Sequence, residues 1–352
     1  MLSYVIVGSG YRSQYFARVA RRYPGLFHAL YLCRSLEKAT WIEEQTGVKA
    51  TTSAEECEAF HPDFIVIAVD RGHVADETIK WAEKGYPVVT ETPAGDTLEK
   101  LEALWKLKKE KNARIVCCEQ YHRQPLLAAG LKAVRDGVIG TPSSAYLSFL
   151  HDYHAASLMR RMLLTQPGEA YTLRGMRLPN PVTETDSRGG AIMDGRVKQA
   201  LRDMLVVSFA SGKTAVYDFE SVQYRSYIRS RHLTVRGDRG EWTDNLILAL
   251  DKENRPIRQY LTPEIPEAYR CLDTQELRDR RRAWQAELAP DTVQDEYAIA
   301  AMLLDMESYL SGGASPYPLE EALDDAYFWQ LAQEAVKTPW QEIVSRNMIW
   351  HQ

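Results

Sequence analysis

No apolar run in this 352-residue sequence approaches the ~20 residues that a membrane-spanning helix needs, so no membrane protein is expected. Charge of one sign is also lacking. Lys and Arg number 43 against 48 Asp and Glu, and a net charge of −5 offers no general attraction to nucleic acid or anionic lipid. The one basic run, Arg278-Asp279-Arg280-Arg281-Arg282, is broken by an acid and preceded by Glu276, the pattern of a solvated helix face. Cysteine is scarce. Its five copies, Cys33, Cys57, Cys117, Cys118 and Cys271, are odd in number and show neither zinc-site spacing nor a redox Cys-x-x-Cys. Reduced thiols and a cytoplasmic location are the expectation, and a strand at Ser3 to Val7 opens the chain with no signal peptide before it. Internal repeats and low-complexity tracts are absent, which excludes solenoids and disordered tails as the organising feature.

What is present is an ordinary globular mixture, 45% apolar and 26% charged, long enough for two domains at roughly 100–200 residues each. The first part alternates short branched-chain runs with helical patterns. Tyr4 to Val7, Ala29 to Leu32, Phe64 to Ala68, Pro87 to Val89 and Arg114 to Cys117 read as strands buried on both faces. Between them, segments such as Leu98, Leu101, Leu104 and Trp105 repeat at helical spacing. Strand–helix repetition predicts a doubly wound parallel sheet over residues 1–122.

Beyond Tyr121 the pattern changes. A helix from Pro125 to Asp136 ends at Gly137, a fitting C-terminal glycine. Ala145 to Leu150 reads as a strand. Met204 to Phe209 and Thr214 to Phe219 flank a Ser211-Gly212 turn, and Leu233 to Arg236 and Trp242 to Leu250 flank a turn at Gly237 to Gly240. Thr165 to Gly195, rich in Pro, Gly and Thr, reads as a long surface connection. Helices return at Glu296 to Tyr309 and Leu319 to Val336. Residues 123–352 are therefore expected to form an α+β domain with a largely antiparallel open sheet.

The chemistry-bearing motif follows the first strand: Gly8-Ser9-Gly10-Tyr11-Arg12-Ser13, leading into a helix. A dinucleotide site needs a first glycine for the tight turn and a second so that the pyrophosphate can approach the backbone. A small third residue, here Ser13, lets helix and strand pack. Unpaired N–H groups at the helix start complete an anion cradle. A lone Gly-x-Gly describes many turns; its place before a helix and at the head of strand–helix units favours the nucleotide. NAD-preferring sites usually carry an acid about 20 residues onward. Cys33-Arg34-Ser35 stands there instead, so Arg34 and Ser35 are candidates for a ribose 2′-phosphate, and NADP(H) is preferred over NAD(H). A solvated Arg34 with no ligand role is the alternative.

These residues resemble the Gfo/Idh/MocA oxidoreductases. The likeness runs from the glycine turn through Ala68, Val69 and His73 to Thr90-Glu91-Thr92-Pro93. It continues through Tyr121 and the helix ending in Asp136-Gly137-Val138-Ile139-Gly140, and returns at Tyr317-Pro318-Leu319-Glu320-Glu321-Ala322. It implies a Rossmann domain, then an α/β domain whose open sheet forms homodimers or homotetramers. It also implies hydride transfer between nicotinamide and a carbinol or carbonyl carbon of a small sugar, cyclitol or related metabolite. It places Ala68, Val69, His73, Glu91 and Pro93 on the cofactor side, with a cis bond before Pro93. Two departures stand out. The family's Glu-Lys-Pro lysine is Thr92 here, which carries a hydroxyl but no charge. The family's Asp-x-Gly-x-His helix start has its counterpart in His151-Asp152-Tyr153-His154, where Leu150 replaces the acid. A second alignment, through Gly189 to Asp194, would put Lys198 in the histidine's place but leaves little room for a helix.

Histidine suits proton transfer in either direction near neutrality, and His154 is the expected proton carrier, with a capping or packing role as the alternative. Tyr121 is a candidate for substrate contact, or a core aromatic. His151 and His154 form a His-x-x-His pair, but without a third ligand at recognisable spacing no metal is expected. Two other readings stay open: a nicotinamide-assisted glycoside hydrolase or lyase, and a non-catalytic ligand-binding protein, which Thr92 favours.

Overall fold

The computed structural model describes residues 1–286 and 292–351. Its first sheet has six parallel strands: β1 (Leu2–Val7), β2 (Phe27–Leu32), β3 (Ala50–Thr51), β4 (Phe64–Ile67), β5 (Val88–Thr90) and β6 (Ile115–Cys117). Their order is β3-β2-β1-β4-β5-β6, with every neighbouring pair parallel. The order reverses at β1, so the carboxyl ends of β1 and β4 open onto the crevice where such sheets bind ligands. Helices α1 (Ser13–Arg22), α2 (Leu36–Thr46), α3 (Ala54–Ala59), α4 (Val74–Glu83) and α5 (Leu98–Lys111) join the strands. All four residues of β4 are buried, as a strand covered on both faces requires. β3 and α3 carry no apolar run long enough to be read from sequence.

Helix α6 (Pro125–Arg135) follows and ends as expected before Gly137, whose φ is +74°. The second sheet then builds from β7 (Pro142–Ser148), which feeds α7 (Asp152–Leu163). The strands that follow are β8 (Tyr171–Thr183), β9 (Asp186–Ser187), β10 (Gly190–Ala191), β11 (Val197–Phe209), β12 (Thr214–Glu220), β13 (His232–Gly237), β14 (Gly240–Thr243), β15 (Leu246–Leu250) and β16 (Pro256–Tyr260). Helices α8 (Gln275–Ala286), α9 (Thr292–Leu310) and α10 (Leu319–Ala335) come next, and β17 (Ile343–Val344) closes the sheet. Nine strands run in the order β16-β15-β14-β13-β7-β12-β11-β8-β17, while β9 and β10 pair separately. Every pairing in the nine-stranded sheet is antiparallel except β7 with β12. Leu131, Leu158 and Ala332 from α6, α7 and α10 share a buried cluster with Leu147, Val207 and Trp242 of the sheet. Tyr146, Val206 and Leu248 remain exposed, so the sheet is open.

Two sequence expectations need correction. Thr165 to Gly195 is not a surface connection: it contains the thirteen-residue strand β8, paired along its whole length with β11, and the β9–β10 hairpin. Pro179 and Pro181 hid it. They are tolerated because β17 pairs only with Leu173 and Thr172, leaving the rest of β8 an edge where a missing N–H costs nothing. Trp242 to Leu250 is two strands rather than one, broken at Asp244, whose φ is +52°.

The last helices return to the first sheet. Tyr297, Met302 and Leu323 share a buried cluster with Val5 and Phe16. Arg18 and Arg22 of α1 both pair with buried Glu296 of α9, at 2.5 and 2.7 Å. This seam brings Asp295, one residue away, against the glycine turn. Among the described residues no helix is long and apolar enough to cross a membrane. The basic run lies on α8, where Arg278 and Arg281 pair with Asp273; the side chain of Arg282 lies outside the described residues. All five cysteines are free, four of them buried.

Candidate active site

The glycine turn has the geometry its residues demand. Gly8 sits at φ +117°, and a Cβ there would lie 2.4 Å from the carbonyl oxygen of Ala68, where the ends of β1 and β4 meet. A Cβ on Gly10 would meet nothing within 4 Å, so its open side is room for an approaching ligand. Ser13 is fully buried, and its hydroxyl donates to the Gly10 carbonyl at 2.7 Å. No side chain caps the start of α1, where the Gln14 and Tyr15 amides donate to the Tyr11 and Arg12 carbonyls at 3.3 and 3.1 Å. An open glycine ahead of a helix start that no side chain obstructs fits a dinucleotide pyrophosphate.

A cavity of about 800 Å³ lies between this turn and the second sheet. Of the sequence-derived candidates it is lined by Tyr11, Arg12, Val69, Glu91, Thr92, Tyr121, His151, His154 and the rival Lys198. Gly8, Ser9, Gly10, Ala68 and Pro93 lie outside its lining, and the Thr92–Pro93 bond is cis. Three further candidates also lie outside its lining. Arg34 is exposed beyond the end of β2, Ser35 caps α2 by accepting from the Lys38 amide at 3.3 Å, and His73 is exposed and hydrogen-bonds Asp70 at 2.8 Å. Lys198, the histidine's rival, lies on β11 and pairs with Glu184, and Gly189 to Asp194 forms no helix. His154 is in the first turn of α7, as the preferred alignment expects.

His154 is held by a partner the sequence did not reveal. Its Nδ1 hydrogen-bonds Glu119 Oε2, and the other Glu119 oxygen accepts from the Tyr121 amide at 3.3 Å. Tyr121 packs edge-on against the imidazole, with ring centres 4.7 Å apart. His151 is directed elsewhere, its Nδ1 bonded to the Tyr224 hydroxyl at 2.6 Å. Burial disfavours charge on both members of the pair: the Glu119 carboxyl is pushed up to about 8 and His154 is held below the usual histidine range. Among the described residues His154 Nε2 has no hydrogen-bond partner. The pair is best described as one titrating unit. With two protons it presents N–H at Nε2; with one, Glu119 is ionised, Nδ1 donates to it, and Nε2 offers a lone pair. The acid thus sets which tautomer faces the cavity.

Thr92 carries no charge, and it is linked to a cation, Arg12, through the Glu91 carboxylate. Arg12 Nε donates to Glu91 at 2.8 Å and Nη1 to Asp295 at 3.0 Å, while the Thr92 amide donates to the other Glu91 oxygen at 3.3 Å. Burial raises the Glu91 carboxyl and the adjacent guanidinium opposes that rise. Gln120 and Gln124 hold the second Asp295 oxygen at 2.9 and 3.2 Å. Sequence reasoning missed Glu119, Asp295 and the arginines of residues 221–231. A signal existed only for Glu119, an acid immediately beyond the carboxyl end of a parallel strand.

Residues 2–118 match the family described as "Oxidoreductase family, NAD-binding Rossmann fold", the Gfo/Idh/MocA family, which bears out the resemblance read from sequence. No relative is found among curated protein sequences. Among solved structures, levoglucosan dehydrogenase in complex with NADH is 15% identical, with 99% of this chain and 100% of that chain covered and a TM-score of 0.72. An NAD binding oxidoreductase from Klebsiella pneumoniae is 13% identical over 99% and 100% of the two chains, with a TM-score of 0.71. A putative myo-inositol dehydrogenase from Sinorhizobium meliloti 1021 is 16% identical over 97% and 99%, at 0.66. At such identities what is shared is the fold, over nearly the whole chain.

Proposed function

We propose that this chain, whose residues 2–118 are a Gfo/Idh/MocA nucleotide-binding domain, is an NAD(P)-dependent oxidoreductase. Its substrate would be the carbinol or carbonyl carbon of a small sugar, cyclitol or related metabolite. One observation carries this reading: an imidazole without a partner at Nε2, oriented by a buried acid, lines the same cavity as Tyr11 and Arg12, the residues that follow the glycines of the turn. The nicotinamide, when bound, supplies or accepts the hydride. His154 Nε2 takes the hydroxyl proton during oxidation and returns it during reduction. Glu119 orients the ring through Nδ1, and Tyr121 fixes its edge. Arg12, paired with Glu91 and Asp295, fixes those two acids at the cavity wall. The structural neighbours support the substrate class, since one is named a levoglucosan dehydrogenase and another a putative myo-inositol dehydrogenase.

The paired titration has a sign. Oxidation needs the lone-pair form of Nε2, which dominates above the pair's transition, so the oxidation rate rises through pH about 8. Reduction needs the N–H form and falls over the same interval. Glu119→Gln removes the group that titrates there and leaves a buried histidine of low proton affinity. The rise in oxidation rate moves to lower pH in this variant, and kcat falls. A profile of kcat/KM against pH checks this; an unchanged midpoint in Glu119→Gln rules out the paired unit.

For the nucleotide we favour NADP(H), because Arg34 follows β2 exposed and without an acid beside it in the sequence. Arg34→Ala then weakens NADPH several-fold more than NADH, measured by calorimetry; equal losses remove the preference. Titration with both reduced nucleotides, followed by a panel of sugars and cyclitols with absorbance of reduced nicotinamide as readout, tests the function as a whole. Binding of neither nucleotide would end it.

A further inference from the structure

The wall of the cavity beside the histidines carries a charge that the proton-transfer chemistry does not use. Arg231, in the segment between β12 and β13, lines the cavity and is half-buried. Its Nη2 donates to the Tyr224 carbonyl at 2.8 Å, and its guanidinium lies over the rings of Tyr224 and Phe149 at 4.5 and 5.7 Å. Its Nη1 is buried with no partner, and among the described residues no carboxylate pairs with it. Arg225 of the same segment lines the cavity too, half-buried, and lies 5.7 Å from the ring of Tyr11 with no acid bonded to it. Two of the acids that line the cavity are engaged elsewhere. Asp295 serves Arg12, Gln120 and Gln124, and Glu184 serves Arg196 and Lys198. Asp186, on the β9 hairpin, also lines the cavity.

A guanidinium taken out of water without a counterion is unfavourable unless something else supplies the charge and the hydrogen bonds. Arginine is also the side chain whose fork matches a carboxylate or phosphate. Structural arginines of this chain show the contrast: Arg177 and Arg160 each meet an aspartate at 2.6 Å. We infer that Arg231, flanked by Arg225, is a subsite for an oxyanion of the substrate, so that the natural substrate is an acidic polyhydroxy compound, a sugar carboxylate or sugar phosphate, rather than a neutral sugar. The inference deepens the oxidoreductase reading and rests on it only for the polyhydroxy part.

The full chain is titrated calorimetrically with D-glucuronate, D-glucose 6-phosphate and neutral D-glucose, with and without saturating NADPH and NADH. At least one acidic sugar binds about tenfold or more tightly than glucose with the nucleotide present, as expected for a charge-assisted contact. The better of the two acids identifies the oxyanion as carboxylate or phosphate. Arg231→Gln abolishes the preference and Arg225→Gln reduces it, while each variant still unfolds cooperatively, Arg231→Gln losing the Tyr224 carbonyl contact and the ring packing. Equal binding of glucose and both acids, or a preference retained in Arg231→Gln, overturns the subsite. Loss of acid binding when nucleotide saturates also overturns it, by assigning the arginines to the nucleotide's phosphates. If acids bind while neither nucleotide does, the subsite stands and the oxidoreductase reading fails.

Discussion

His154→Ala lowers kcat by about 10²–10⁴-fold, the range for losing a positioned acid–base group, while nucleotide affinity stays within about twofold. The argument is geometric. Nδ1 is occupied by Glu119, so only Nε2 is free, and the ring is locked between that acid and Tyr121. Removing the imidazole leaves the Glu119 carboxyl buried without its partner. That carboxyl already lies near about 8, so it stays neutral rather than becoming an unpaired buried anion, and the fold should tolerate the change. Steady-state kinetics in both directions and calorimetry with the reduced nucleotide separate chemistry from binding. An unchanged kcat would falsify the assignment of His154 as proton carrier.

Gly8→Ala combines two penalties at one atom. At φ +117° an L side chain is strained, by about 1–3 kcal/mol. The new methyl would also sit 2.4 Å from the Ala68 carbonyl oxygen and 2.8 Å from its carbon, and backbone cannot swing away as a long side chain can. We expect a loss of about 2–4 kcal/mol of stability together with loss of measurable nucleotide binding, because the turn must open to relieve the contact. Gly10→Ala isolates the second effect. Nothing lies within 4 Å of its new methyl, so thermal unfolding is nearly unchanged while nucleotide affinity drops, the methyl standing where the pyrophosphate approaches. Wild-type affinity in Gly10→Ala would remove the cradle from the account.

Much of the first sheet was legible because its strands are short, continuous and apolar, the pattern a doubly covered parallel sheet imposes on neighbouring residues. The second sheet was legible where strands meet at glycine turns, as at Gly212, and illegible along β8, where prolines sit on an edge that only the pairing with β11 defines. The same division holds for the site. The glycine turn and the histidine at the head of α7 each lie within a few residues of the feature that marks them.

By itself the sequence determined what local periodicity and backbone demands can specify: the strand–helix alternation, the turn that only glycine can make at position 8, and a histidine beginning a helix. Tertiary structure alone decided which groups meet. Glu119 reaches His154 across 35 residues, Arg12 reaches Glu91 across 79 and Asp295 across 283, and Arg231 comes to rest without an acid. The physical reason is that charge and hydrogen bonding act through space over a few ångströms, whereas sequence patterns report only what neighbours along the chain require of one another.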